Sequence, residues 1–140
     1  MWRNSLAHGA VIYRKSKIIE IGSYNEKLLR CEDYDLWLRI TSRELVGFIE
    51  KTLVIKRGGH ADQLSKCIGS LDRYRIKSLE NIIASVDLAP QKKQAARREA
   101  IRKINIYKKG AQKRGRRSKN RYRRYSYWKK SRGNRWRNGN

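Results

Sequence analysis

The distribution of charge along the chain limits which part of it can fold. Residues 113–140 contain thirteen lysines and arginines, no acid, and few aliphatic side chains. Such a segment cannot bury enough apolar surface to offset the entropy lost on ordering. Without those thirteen, 23 basic residues face 12 acids, a net charge of about +11 for residues 1–112. We therefore expect a core only within residues 1–112, followed by a disordered cationic tail at 113–140.

Cysteine usage and hydropathy exclude several classes of protein. Cys31 and Cys67 lie far apart and lack the spacing of a zinc site or a disulfide framework, so a reducing compartment is the default. No run of about 18 apolar residues could span a membrane, and the N-terminus has no signal-peptide pattern. The sequence predicts a cytoplasmic, non-secreted protein, with peripheral binding at the inner face of the membrane left open.

Three short runs rich in β-branched and aliphatic residues predict strands. They are GAVIY at 9–13, LVGFIE at 45–50 and TLVIKR at 52–57. Between the first two, KSKIIE at 15–20 predicts a short helix. The expected class for residues 1–69 is therefore α/β, with a few short strands accompanied by helices.

The second part of the chain reads as helical. Apolar residues at three-and-four spacing predict one helix from residue 70 to about 86 and another from about 91 to 109, with Pro90 at the start of the second. The short joint between them predicts that the two helices pack as a hairpin. We expect this helical hairpin to form a unit at 70–112, ahead of the tail.

The stretch CEDYDLWLRI, residues 31–40, places three acids before an apolar run. Helical spacing to about Arg43 puts Asp33 at the end of the stripe that continues with Leu36 and Trp37, while Asp35 and Arg39 form a surface pair. Acids in a first turn complement the helix dipole, an effect of about 0.3–1 kcal/mol each. A carboxylate aligned with the buried stripe also suits a general base. Spacing alone leaves both interpretations open.

The segment HGAVIYRKSKIIEIGSYNEKLLRCEDYDLWLRI resembles the second half of the catalytic domain of family-2 glycosyltransferases, inverting nucleotide-sugar enzymes of the GT-A fold. Here GSYNE at 22–26 corresponds to a GGYDE-like turn, and EDYDLWLR to the helix that follows. The resemblance is dense over residues 9–40 and weaker to about 112. It implies a partial GT-A-like, Rossmann-like domain at residues 1–69 and a hexosyltransferase type of activity.

The resemblance also implies roles for individual residues. Asp33 matches the acid that takes the proton of the acceptor hydroxyl, and Glu32 would support the acceptor or orient the base. Asp35, Trp37 and Arg39 would give structural support to that helix. The substrates implied are a nucleotide-sugar and a saccharide or lipid-linked acceptor, as in polysaccharide or cell-envelope synthesis.

A glycine-containing loop lies where related enzymes close over the donor diphosphate. Gly58 and Gly59 would give it hinge freedom, Arg57 would offer charge, and His60 could approach the phosphate or a metal. Since a metal site needs several convergent ligands, a surface loop with an incidental histidine is slightly favoured for His60. For the complete enzyme the resemblance implies a divalent cation, Mn²⁺ or Mg²⁺.

One half of the family's pattern is missing from this sequence. The nucleotide-binding strands and the acidic Asp-x-Asp pair should precede the helix, and no Asp-x-Asp lies upstream of Asp33. We therefore expect a truncated enzyme with little or no turnover alone, unless another chain supplies the missing N-terminal half.

The tail supports a competing interpretation. Its tyrosines and tryptophans alternate with arginine and lysine, a composition suited to phosphate contacts and to stacking on unpaired bases. A small basic RNA-binding protein is therefore the alternative function. An anionic-membrane contact, or an extension without a role, together rank above RNA binding, because no RNA-binding motif is present.

Overall fold

Four α-helices follow a short 3-10 turn in the computed structural model, which describes residues 6–55, 57, 71–85 and 87–115. The turn is His8–Ala10, and the helices are α1 (Lys15–Glu20), α2 (Glu32–Arg43), α3 (Asp72–Ala84) and α4 (Pro90–Lys113). No strand occurs within these ranges. The described part of the protein is therefore helical.

The predicted α/β architecture, with its partial GT-A-like or Rossmann-like domain, is wrong for the described residues. The first predicted strand is the 3-10 turn and an irregular continuation, and residues 45–55 form neither strand nor helix. Leu45, Phe48 and Ile55 are each more than four-fifths exposed. β-branched side chains favour an extended backbone, but a strand persists only when a neighbour pairs with its N–H and C=O groups. No described segment supplies that neighbour.

The core lies between α2, α3 and α4. Helices α3 and α4 pack along each other as the predicted hairpin, and α2 packs against α3. The predicted helix at 32–43 is confirmed at both ends. The buried residues that form the cluster are Tyr34, Leu38, Ile76, Leu79, Ile82, Ile83, Leu88, Ala96, Ala100 and Ile104.

Small residues and caps determine how α4 packs. Ala96 and Ala100 are completely buried, so the short side chains let α3 approach closely. Pro90 occupies the first turn as predicted, where a missing N–H costs no helical hydrogen bond. The helix runs to Lys113 rather than to about 109, because Gly110 keeps helical geometry and Gly115 is the glycine with a positive φ, +61°.

Charged groups in the hairpin are paired where they approach the core. Glu99 is buried and accepts two hydrogen bonds from Arg102, at 2.6 and 2.7 Å. Asp72 contacts Lys103 at 3.3 Å, which links the start of α3 to α4. Burial, with the charge of Glu99 as a smaller cause, raises the pKa of the Tyr34 phenol well above its usual range.

Across the described ranges, no helix combines the length and the hydropathy that crossing a bilayer requires.

Truncation of Leu79 should test the three-helix core. Leu79 has no exposed surface, so we expect Leu79→Ala to lower the free energy of unfolding by about 2–5 kcal/mol. Urea denaturation followed by circular dichroism measures the change. Ile19→Ala, at a side chain 64% exposed on α1, is the control and should change stability by less than about 0.5 kcal/mol. Equal losses in both variants would contradict the core assignment.

Candidate functional site

The start of α2 holds two adjacent carboxylates. Cys31 precedes the helix in left-handed geometry, with φ +59°, and its side chain does not cap the helix. Glu32 is exposed and Asp33 is half-buried. The Tyr34 N–H donates to Asp33 Oδ1 at 2.7 Å. One oxygen of Asp33 is thus held by the backbone, and the other is the candidate atom for accepting a proton.

An aromatic cluster lies beside these acids. The ring centroids of His8 and Tyr24 are 5.7 Å apart, those of His8 and Trp37 are 6.3 Å apart, and those of Tyr13 and Trp37 are 6.0 Å apart. The Tyr24 hydroxyl lies 3.2 Å from His8 Nδ1. His8 and Tyr13 are exposed, whereas Trp37 is buried. The cluster therefore presents aromatic surface to solvent over a buried indole.

The electrostatics of Tyr24 connect the cluster to the carboxylates. Partial burial raises the pKa of Tyr24, and the hydrogen bond with Tyr13 and the negative charges of Asp33 and Glu32 raise it further. Its phenol therefore stays protonated at neutral pH and can act as a hydrogen-bond donor. A neutral donor close to two carboxylates suits the binding of a hydroxylated ligand.

The predicted Asp35 and Arg39 pair is present, but its surface placement is wrong. Asp35 is only 4% exposed, and Arg39 Nε donates to it at 2.9 Å. The guanidinium also donates to the carbonyl oxygens of Ile21, at 2.7 Å, and Ser23, at 2.5 Å. Arg39 therefore fastens the 21–23 turn to α2.

The turn itself depends on two left-handed residues. Gly22 has φ +88° and Ser23 has φ +53°, and only the first is a residue that tolerates this geometry without strain. The three hydrogen bonds of Arg39 hold the turn in this conformation. Tyr24, which follows directly, is thereby positioned beside α2.

Cys31 is not suited to nucleophilic chemistry. Its Sγ donates weakly to the Leu71 carbonyl oxygen at 3.8 Å. Burial is the largest cause that raises the pKa of its thiol, and nearby Asp33 raises it further, while Arg75 lowers it. A raised pKa keeps the sulfur protonated at neutral pH, so the reactive thiolate is scarce.

The predicted site residues are divided by the structure. Glu32, Asp33, Asp35, Trp37 and Arg39 all lie on α2. Arg57 is exposed. Gly58, Gly59 and His60 lie outside the described residues, as does the tail from residue 116, so the predictions placed there stay predictions. Nowhere in the described ranges do three or more His, Cys, Asp or Glu side chains gather as a metal site would require.

His8, Tyr13 and Tyr24 are the members of the site that sequence reasoning missed. Nothing in their spacing predicts that they meet. Tyr24 belongs to the GSYNE turn, which the resemblance had marked as part of a motif, so that turn is the signal that could have found it. The 3-10 turn at His8–Ala10 brings the other two residues near Trp37.

Comparison with known proteins gives a local relationship. No protein-family model and no solved structure matches this chain. Over 40 residues it is 50% identical to the amylovoran biosynthesis glycosyltransferase AmsE of Erwinia amylovora. The match relates this chain to a glycosyltransferase. It covers 29% of this chain and 15% of AmsE, so the chain spans only a small part of that relative's length. It does not favour the RNA-binding alternative.

Loss of the Arg39 guanidinium should release the turn and leave a buried acid unpaired. We expect Arg39→Met to lower the free energy of unfolding by about 3 kcal/mol, because Asp35 stays buried without its partner. Arg73→Met, at an exposed arginine on α3, is the matched control and should lie within about 0.5 kcal/mol of the wild type. Urea denaturation of both variants measures the difference. Similar values would show that the Arg39 contacts contribute nothing to stability.

Relief of the strain at Ser23 should stabilise the protein. Because Ser23 has φ +53°, Ser23→Gly should raise the free energy of unfolding by about 0.5–1 kcal/mol. Ser16→Gly, the same replacement within α1, should instead lower it, since glycine disfavours helical geometry. Thermal denaturation of the two variants measures the sign. Destabilisation by both would show that position 23 is unstrained.

Proposed function

We propose that this chain contributes the acceptor side of a glycosyltransferase, with Asp33 as the general base. The observation that carries the proposal is the half-buried Asp33 carboxylate at the start of α2, next to Glu32 and Tyr24. The local match to a glycosyltransferase supports the reaction class. The acid is held on a helix whose other face is buried in the core, so its position is fixed before a substrate arrives.

The chemical step is an inverting transfer. The acceptor hydroxyl gives its proton to Asp33 as its oxygen forms a bond to the anomeric carbon of the donor sugar. The bond between that carbon and the nucleoside diphosphate breaks on the opposite face, and the diphosphate leaves with the bonding electrons. One displacement inverts the anomeric centre, so no covalent enzyme intermediate is needed. Asp33 acts as base through the oxygen that the Tyr34 N–H leaves available.

The neighbouring side chains suit a saccharide acceptor. Tyr24 offers a hydroxyl donor near the acids, and Glu32 can accept a hydrogen bond from a second sugar hydroxyl. Exposed aromatic rings at His8 and Tyr13 can pack against the apolar face of a sugar ring. This combination supports a saccharide rather than a small apolar alcohol as the acceptor.

The donor side is assigned to residues other than those described. The carboxylates at the start of α2 are two ligands rather than three or more, and the described ranges contain no larger cluster. They do not fit a divalent cation, so we route no step through Mn²⁺ or Mg²⁺. The cation, the nucleotide-sugar site and a partner half that supplies them stay expectations of the family resemblance.

A chimera should test the role of Asp33. Residues 6–55 of this chain would replace the corresponding region of AmsE, and transfer from nucleotide-sugar donors would be assayed by release of the nucleoside diphosphate. We expect Asp33→Asn to lower the rate by about 10²–10⁴-fold, because the amide cannot accept the proton.

Glu20→Gln is the control for that experiment. Glu20 lies on α1, is 61% exposed and pairs with Lys17 at 3.0 Å, so its loss should leave the rate of the chimera unchanged. A chimera that transfers sugar equally well with aspartate or asparagine at position 33 would refute the assignment of the base.

A further inference from the structure

A cavity of about 630 Å³ lies on a side of the Gly22–Lys27 turn that does not include the carboxylate pair. Its walls come from that turn, from α2 between Asp35 and Arg43, from the end of α3 and from the link at 87–88. Neither Glu32 nor Asp33 lines it, whereas Tyr24 does. The volume falls within the range of about 300–1,000 Å³ that is usual for ligand pockets.

The charged groups of the lining cancel. Three acids and three bases contribute to the wall: Glu26, Asp35, Asp87, Lys27, Arg39 and Arg43. Two of the acids are engaged, Asp35 with Arg39 at 2.9 Å and Asp87 with Arg43 at 3.7 Å. This balance is unusual in a chain of net charge +24. An anionic ligand would meet the carboxylates at no advantage, so the lining favours an uncharged ligand.

The uncharged groups of the lining suit hydroxyl groups. Asn25, Asn81 and Ser85 approach from the turn and from the end of α3, and each side chain can both donate and accept a hydrogen bond. Leu38, Ile82 and Leu88 supply apolar surface between them. A pyranose ring has the same character, with a hydroxylated rim and apolar C–H faces.

We propose that this cavity binds a neutral saccharide, at a site distinct from the carboxylates at the start of α2. Its assignment as the site for the acceptor chain, away from the reacting hydroxyl, rests on the proposed function; the binding itself does not. Tyr24 joins the two places, since it lines the cavity while its hydroxyl contacts His8 beside the acids. A bound oligosaccharide can thus extend from the cavity towards Asp33.

The test is titration of the full 140-residue chain with neutral tetrasaccharides of glucose, galactose or mannose, followed by amide chemical shifts in NMR. At least one of the three should bind with a millimolar dissociation constant and shift the amides of residues 22–27 and 81–85. Asn81→Leu should weaken binding about tenfold or more. Asn105→Leu, at an exposed asparagine on α4 outside the cavity, should leave binding unchanged.

Three outcomes would overturn the inference: no tetrasaccharide binds the folded chain, Asn81→Leu binds as the wild type does, or a hexose phosphate binds more tightly than the neutral sugars. Asp33→Asn separates this inference from the proposed function. It should leave tetrasaccharide binding unchanged while it removes transfer by the chimera. Saccharide binding with a chimera indifferent to residue 33 would sink only the function, and transfer without saccharide binding would sink only the cavity site.

Discussion

The Arg39 guanidinium is the contact on which the arrangement of the site depends. It neutralises the buried Asp35 carboxylate and donates to two carbonyl oxygens of the turn that precedes α2. Charge-assisted hydrogen bonds of this kind are stronger than neutral ones and direct the planar group in a fixed orientation. The same residue therefore stabilises a strained turn, places Tyr24 beside the acids, and forms part of the cavity wall. Without it, the acids at the start of α2 would lose their aromatic neighbours.

The hairpin of α3 and α4 supplies the rigidity that α2 needs. Tyr34 and Leu38 of α2 are buried in one cluster with side chains of both hairpin helices, including the completely buried Leu79 and Ala100. Asp33 immediately precedes this buried set, so its backbone is held while its side chain stays half-exposed. A catalytic carboxylate benefits from that combination, because packing fixes the main chain and the substrate can still reach the oxygen. The long helical extension is thus a support for the site as well as a core.

The local match and the structure bear on function at different levels. The match relates the chain to a glycosyltransferase over 40 residues, which cover only 15% of that relative. The structure adds a half-buried acid, a protonated tyrosine and a separate neutral cavity, which are features of a hydroxyl-bearing ligand. The exposed apolar residues of 45–55, such as Leu45 and Phe48, take no part in either place. Their composition predicted strands, yet no described segment pairs with them.

Local sequence determined the helices of this protein. Three-and-four spacing, with Pro90 at a first turn, was enough to predict α2 and the two hairpin helices, because helical hydrogen bonds form within one segment. Sheet structure failed in prediction, since a strand needs a partner that no local pattern guarantees. Tertiary structure alone decided that Asp35 and Arg39 are buried, that Gly22 and Ser23 adopt the turn they fasten, and that His8, Tyr13 and Tyr24 gather near Asp33. Those contacts join residues distant in the sequence, and only packing brings such residues together.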